Sequence, residues 1–315
     1  MAALSPYALG ATLYMPATRA DLLELVFRTK LPELRSLVVC LEDAVADIYV
    51  DTALRNLRAL LSAIDVRGGR PADGPLLFVR PRDSQMAAVL NDWPLMMHVD
   101  GFVVPKLTLS NLGAWEHAVT DPELFLMPTL ETSDVFNPGA MVELGFALRA
   151  NLGHRIIALR IGGNDLMGCL GLRRNTGTTL YSTPMSYVIA MLAGVMGSQG
   201  FALTAPVFEQ LATPLLLKQE LELDIAHGLV GKTAIHPSQI SIIQDTLRVS
   251  FDDLNSAKLI VSEQAPAVFK HNNVMCEPAT HFKWATGILA RAQWHGVRHA
   301  QVDKEQAPAR LIEGD

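Results

Sequence analysis

The chain has 315 residues, half of them hydrophobic, and 26 Lys and Arg against 32 Asp and Glu leave a net charge of −6. That is enough to bury a large core, as one big domain or two modest ones. With no basic patch and no polybasic tract, the charge pattern excludes nucleic acid and a membrane surface as expected partners. The N-terminal "MAALSPYALGATLYMP" lacks the charged start and long apolar centre of a signal peptide. Cys40, Cys169 and Cys276 are far apart and odd in number. They predict no disulfide framework and a reducing, cytoplasmic setting.

Short apolar runs bounded by turn residues recur along the chain. In order they are "ATLYMP" (11–16), "SLVVCLED" (36–43), "PLLFVRP" (75–81), "DGFVVPKL" (100–107), "LFLMPTLET" (124–132), "RIIALRIGG" (155–163), "FALTAPVF" (201–208) and "KTAIHP" (232–237). Most are continuously hydrophobic rather than alternating, as parallel strands covered on both faces are. Helical patterns separate them. "ADLLELVFRTKL" places Leu22, Leu23, Val26 and Phe27 on one face, and "DTALRNLRALLSAI" does the same with Leu54, Leu57, Leu60, Leu61 and Ile64. Eight strands alternating with helices predict an α/β fold, a (β/α)8 TIM barrel, with residues 1–245 as its domain. A doubly wound sheet is the alternative. The count of eight, and the lack of Gly-x-Gly-x-x-Gly after the first strand, favour the barrel.

No charged side chain lies between Asn175 and Phe208, a span long enough for a membrane helix. "GSQG" at 197–200 divides it into a helix of about three turns and a β-rich run, so a buried barrel helix is the reading preferred. From 246 to 315 the pattern changes to a C-terminal helical extension: "FDDLNSAKLIVSEQAPAVFK" and "HFKWATGILARAQWHG" read as helices joined by "HNNVMCEPAT". The closing "VDKEQAPARLIEGD" is polar and reads as frayed.

In a barrel the chemistry sits at the C-terminal ends of the strands. Those ends carry Glu42 and Asp43, Arg80, Lys106, Glu131, Asp165, Glu209 and His236. One charge at a strand end means little, but this many at one mouth need a bound group or each other. Two carboxylates about 4 Å apart repel by roughly 4 kcal/mol at an effective dielectric of 20. A hard divalent cation, or the side chains of Lys106 and Arg80, would relieve Glu131 and Asp165. Oxygen ligands without a cysteine pair favour Mg²⁺ or Mn²⁺ over Zn²⁺, with water and substrate completing the shell.

Gly162 and Gly163 in "LRIGGNDL" (159–166) admit two readings. Either the backbone approaches a ligand closely, with Asn164 beside it, or a tight turn needs φ > 0. Arg80, between Val79 and Pro81, needs an anion: a substrate carboxylate or enolate, or an internal partner at Glu42 or Asp43. His236 is a catalytic candidate or a satisfied barrel histidine held by Pro237. Lys106 is a Schiff-base candidate, although nearby carboxylates favour a paired ammonium.

The same residues carry a family resemblance. "VVCLEDAV", "FVRP", "GFVVPK", "PTLET", "GGNDL" and "GKTAIHPSQI", in this order over roughly 11–245, resemble the HpcH/HpaI aldolase and citrate lyase β-subunit (CitE-like) superfamily. "MCEPATHFKWA" resembles a subgroup of carbon–carbon bond lyases from bacterial stress clusters of the tellurium-resistance type. The resemblance implies a Mg²⁺-dependent lyase acting on a β-hydroxy acid or its CoA thioester and releasing an α-keto acid. It implies Glu131 and Asp165 as metal ligands, Arg80 and Arg19 on the substrate, and Glu42 and Asp43 supporting the site. It also implies a homo-oligomer, often a trimer, in which a neighbour's C-terminal segment covers the site. Two stretches depart from the family pattern. "MPATR" replaces Pro-Gly before the arginine, and "APVFE" replaces an Asp-Gly pair after strand seven, which leaves a free acid open as substrate. The general base stays open among Asp43, His236 and a partner's acid. Two other functions remain: a thioesterase or other carbon-transfer enzyme on the same barrel, and a metabolite-binding component of a stress complex without turnover.

Overall fold

All eight apolar runs contain strands of one parallel sheet. They are β1 (Ala11–Pro16), β2 (Ser36–Cys40), β3 (Leu76–Arg80), β4 (Gly101–Val104), β5 (Phe125–Leu130), β6 (Leu159–Ile161), β7 (Leu203–Thr204) and β8 (Lys232–Ala234). The structure is a computed structural model, and residues 4–298 are described. The sheet runs β7-β6-β5-β4-β3-β2-β1-β8. It closes where Ala205 bridges to Lys232 and the Ala205 N–H donates to the Gly231 carbonyl at 2.7 Å.

Both faces of each strand are buried, which explains the unbroken hydrophobic runs. Leu37, Val39, Leu77, Val79, Phe102, Val104 and Leu126 join the main core with the helices. The alternate residues Val38, Phe78, Val103, Met127 and Ala158 fill the inside of the barrel. Side chains two residues apart share a face. The inward row of β2 therefore leads from Val38 through Cys40 to Glu42, that of β3 from Phe78 to Arg80, and that of β5 from Met127 through Thr129 to Glu131. The interior is apolar low in the barrel and charged at the C-terminal mouth.

The helix Val50–Val66 buries Ala53, Leu57, Leu60, Leu61 and Ile64, as its spacing predicts. The helix after β1 is shorter than its pattern, only Leu22–Val26. Arg28 takes a left-handed φ of 54°, which ends it, and its Nε donates to the Leu34 carbonyl at 3.0 Å. The uncharged span forms the helix Met185–Ser198, which buries Val188, Ile189 and Leu192, before the chain turns at Gly200 into β7. No helix among the described residues is long and apolar enough to cross a membrane.

A buried ion network fixes β8. Lys232 donates to Glu220 at 3.0 Å and to Asp224 at 2.8 Å, both on the helix Pro214–Ala226. Arg174 forks onto Glu220, and the Tyr181 hydroxyl donates to Asp224 at 2.8 Å.

The chain divides into two compact units between Leu247 and Arg248. The second contains the helices Phe251–Ile260 and Pro278–His295, around a small core of Val249, Ala257, Ile260, Cys276, Ala285 and Ile288. The first of these helices is shorter than expected, and the joint between them is a β-hairpin. Phe269–His271 pairs antiparallel with Val274–Cys276 through Asn272 and Asn273, with φ of 48° and 60°. Two left-handed residues make the turn that matches strand twist, and asparagine tolerates that conformation. The polar 302–315 stretch lies outside the described residues.

Candidate active site

The charged inward ends of the strands enclose a cavity of about 420 Å³ at the barrel mouth. Glu42, Asp43, Arg80, Glu131, Gly162, Gly163, Asn164 and Asp165 all line it. Arg80 lies at its centre. Its Nη2 donates to Glu131 Oε1 at 3.0 Å and pairs with Glu42 Oε2 at 2.8 Å. The internal pairing expected for Arg80 is therefore present. Its Nε, however, is buried without a hydrogen-bond partner, so a donor remains for something else.

Lys106 follows β4 in a left-handed conformation, with φ of 49°. That backbone, uncommon outside glycine, points its N–H at Glu131 Oε1, 2.8 Å away. Its ammonium reaches Glu42 at 2.8 Å and Asp43 at 3.4 Å. The bond to Glu42 outweighs partial burial and raises the Lys106 pKa. Lys106 is a paired ammonium, which removes the free amine that a Schiff base needs.

Burial, reinforced by the charge of Asp165 and opposed by Arg80, pushes the Glu131 carboxyl up to about 7. Burial and the charge of Asp43 raise Asp165 as well. Burial also acts to raise Asp43, but Glu42, Lys106 and Arg80 together outweigh it and hold Asp43 below its ordinary value. Asp43 is thus ionised at neutral pH, while Glu131 and Asp165 resist ionisation without a counter-charge.

Neither Gly162 nor Gly163 has a positive φ, so the turn explanation fails. The constraint is space. A Cβ on Gly162 would collide with the Glu131 side chain, and one on Gly163 would lie 2.7 Å from Pro206 Cβ. Gly162→Ala is expected to displace Glu131 and cost about 1–3 kcal/mol by overpacking. Urea unfolding measures this, and an unchanged midpoint would refute the packing role.

Two expected site residues lie elsewhere. Arg19 donates twice to Asp21, at 2.8 Å from both Nε and Nη2, and lines a separate cavity with Leu22, Asn56 and Leu60. The near aspartate captures its fork. His236 is exposed, accepts from the Ser238 N–H at 3.2 Å and caps the turn Pro237–Gln239; it does not line the main cavity. Glu209, grouped with the strand-end charges, instead pairs with Arg174 at 2.7 Å, and Val207 faces the cavity. The sequence reading missed Arg160, Tyr14, Thr129 and Thr233, which also line it. Inward alternation from Glu131 and Gly162 was the signal that marks Thr129 and Arg160.

Glu131 and Asp165 form a donor set of two carboxylates; no group of three or more His, Cys, Asp or Glu among the described residues is placed to hold a metal. Both hydrogen bonds to Glu131 fall on Oε1, leaving Oε2 with its lone pairs, and Asp165 makes no ion pair among the described residues. Two raised carboxylates with free oxygens fit a hard divalent cation whose other positions are water or substrate.

A parallel eight-stranded barrel with carboxylates, an arginine and a lysine at the C-terminal mouth defines a TIM-barrel enzyme site. The chain belongs to the C–C bond lyase family of the TIM-barrel fold, whose model matches residues 3–297. It is similar in fold to CitE of Mycobacterium tuberculosis in complex with magnesium, acetoacetate and coenzyme A. The identity is 21%, the TM-score 0.65, and the match covers 91% of this chain and 99% of that one. The citrate lyase beta subunit of M. tuberculosis complexed with oxaloacetate and magnesium is 19% identical with a TM-score of 0.57, over 77% of this chain and 99% of that one. RipC of Yersinia pestis matches at 19% identity and a TM-score of 0.57, over 77% and 96% of the two chains. No curated protein matches the sequence.

Proposed function

We propose that the protein is a Mg²⁺-dependent carbon–carbon lyase that cleaves a β-hydroxy acid, free or as its CoA thioester, to an α-keto acid. The observation that carries this reading is the pair Glu131 and Asp165, with free oxygens, beside an arginine whose Nε has no partner. Glu131 and Asp165 would hold Mg²⁺, or Mn²⁺ in its place, which would supply Lewis-acid chemistry to a bound substrate. Glu42, Asp43, Glu131 and Asp165 line the cavity against Arg80 and Arg160; a divalent cation would offset that excess of carboxylates and remove the barrier to an anionic substrate.

Asp43, ionised and lining the cavity, accepts the hydroxyl proton. The oxygen's electron pair forms the keto group, the adjacent carbon–carbon bond breaks, and its electrons leave as an enolate. Arg80 offers its free Nε–H to the oxygen that gains charge. Lys106 and Glu42 hold Arg80 and Asp43 in place. Gly162, Gly163 and Asn164 form the wall along which the substrate carboxylate lies. The family resemblance supports a homo-oligomer as the acting form.

Product analysis with malyl-CoA, citramalyl-CoA and the free acids tests the reading. A keto acid supports it; an intact hydroxy acid after hydrolysis marks a thioesterase, and ligand binding without turnover marks a binding component.

A pH dependence follows from Glu131. Its folded-state pKa of about 7 exceeds the ordinary 4.5, so the folded protein holds a proton that the unfolded chain has released. That contribution to stability is fully present below 4.5 and is lost as pH rises through 7. Mg²⁺ must displace the same proton. Its affinity is expected to rise by about tenfold per pH unit below 7 and then level off. Calorimetric titrations from pH 5 to 8 check this, and a flat profile would rule out Glu131 as a ligand.

A further inference from the structure

Among the described residues three arginines are buried: Arg155, Arg160 and Arg174. Arg174 pairs with Glu220, and Arg155 is held by the carbonyls of Val119, Asp121 and Leu124. Arg160, only 2% exposed, has neither kind of partner. Its guanidinium donates to the Thr233 hydroxyl and to Thr12 Oγ1 at 3.5 Å, lies 3.7 Å from Met127 Sδ, and stands 5.1 Å from the Tyr14 ring centroid. Burial raises the Tyr14 phenol, so Tyr14 is a neutral neighbour. A buried cation among neutral groups is costly unless something bound compensates it.

The register adds a second observation. Thr129 pairs with Arg160 across β5 and β6, and Arg160 pairs with Thr204 across β6 and β7. The Oγ1 atoms of both threonines are buried and lack any hydrogen-bond partner. Arg160 thus stands in register between two threonines with unsatisfied hydroxyls, while its guanidinium reaches Thr12 and Thr233. Thr129 lies two residues before Glu131, so this row is one inward level below the carboxylate pair, and Arg160, Thr129, Thr233 and Tyr14 line the same cavity.

We propose that Arg160, flanked by Thr129 and Thr204, is a carboxylate subsite on the cavity floor that selects a dicarboxylic keto or hydroxy acid over its monocarboxylic counterpart. The proposal rests on the lyase reading for the place of the other carboxylate, at the Glu131–Asp165 centre. The fork of Arg160 takes the second carboxylate in two parallel hydrogen bonds, and the Thr129 hydroxyl, which lines the same cavity, satisfies a remaining lone pair.

Calorimetry with Mg²⁺ and two matched keto acids, oxaloacetate and pyruvate, tests it. The wild type is expected to bind oxaloacetate at least about tenfold more tightly than pyruvate, and Arg160→Met to bring the two to parity while keeping pyruvate affinity within about threefold. Arg160→Lys keeps the charge without the fork and gives an intermediate preference. Thr129→Val lowers the preference by about three- to tenfold and leaves the charge untouched. Equal affinities in the wild type, no binding of either acid, or a preference that survives Arg160→Met overturns the subsite. If Arg160→Met does not fold, Arg160→Lys and Thr129→Val decide, and an unchanged preference in both overturns it. The two readings fail separately. A preference governed by Arg160 without cleavage of any hydroxy acid removes the lyase and keeps the subsite. Cleavage with a preference indifferent to Arg160 does the reverse.

Discussion

Glu131→Gln is expected to lose Mg²⁺ affinity and lyase turnover together, turnover by at least about 10²–10³-fold. The substitution keeps the shape of the side chain. Its amide oxygen can still accept from Arg80 and from the Lys106 N–H, which now donate at 3.0 and 2.8 Å. It removes the negative charge that a cation needs at Oε2. Glu131→Ala is expected to go further, because it strips both donors of an acceptor and widens the cavity beside Gly162. Calorimetric Mg²⁺ titration and keto-acid production, measured on the same samples, check the pair. Full activity in Glu131→Gln would end the metal-ligand assignment. Loss of activity with intact Mg²⁺ binding would move Glu131 from the metal to the substrate.

Lys232→Met carries the largest expected loss of stability. Lys232 is 1% exposed and is the ammonium shared by Glu220 and Asp224, themselves buried at 0% and 3%. Burial alone would lower the Lys232 pKa, but the two carboxylates outweigh it and raise it. Removing one partner of a buried ion pair leaves an uncompensated charge and costs about 3–5 kcal/mol. Arg174 still neutralises Glu220, so the penalty falls mainly on Asp224. Burial already raises Asp224 against the pull of Lys232, and it protonates once Lys232 is gone. Stability lost in Lys232→Met is therefore expected to return in part in Lys232→Met with Asp224→Asn. Urea unfolding measures both, and a single-variant loss under about 1 kcal/mol would show that the network is not holding β8.

The barrel was legible in the chain because its physical cause is local and repeated. Strands covered on both faces must be apolar at every position, and short runs such as "SLVVC" and "GFVVP" leave little other choice. The rule that chemistry gathers at strand ends then marked Glu42, Asp43, Arg80, Glu131 and Asp165 as mouth residues, and all five line one cavity. Where a single residue's conformation or a competing neighbour decides, the pattern was silent. The left-handed Arg28 cut a helix short, and two left-handed asparagines made a hairpin from a presumed linker.

By itself the sequence determined the strand count, the parallel sheet and the acidic character of the mouth, since each depends on residue type at a fixed period. Only the tertiary structure decided which strand-end charges share the cavity. Asp21 and Arg174 draw Arg19 and Glu209 away from it, and His236 turns back to cap its own turn. It also decided that Gly162 serves the side chain of Glu131 rather than a turn, and that Arg160 stands without a counter-charge. Such outcomes depend on distances between groups remote in the chain, and a carboxylate's partner is set by which cation comes within a few ångströms, not by its place in a motif.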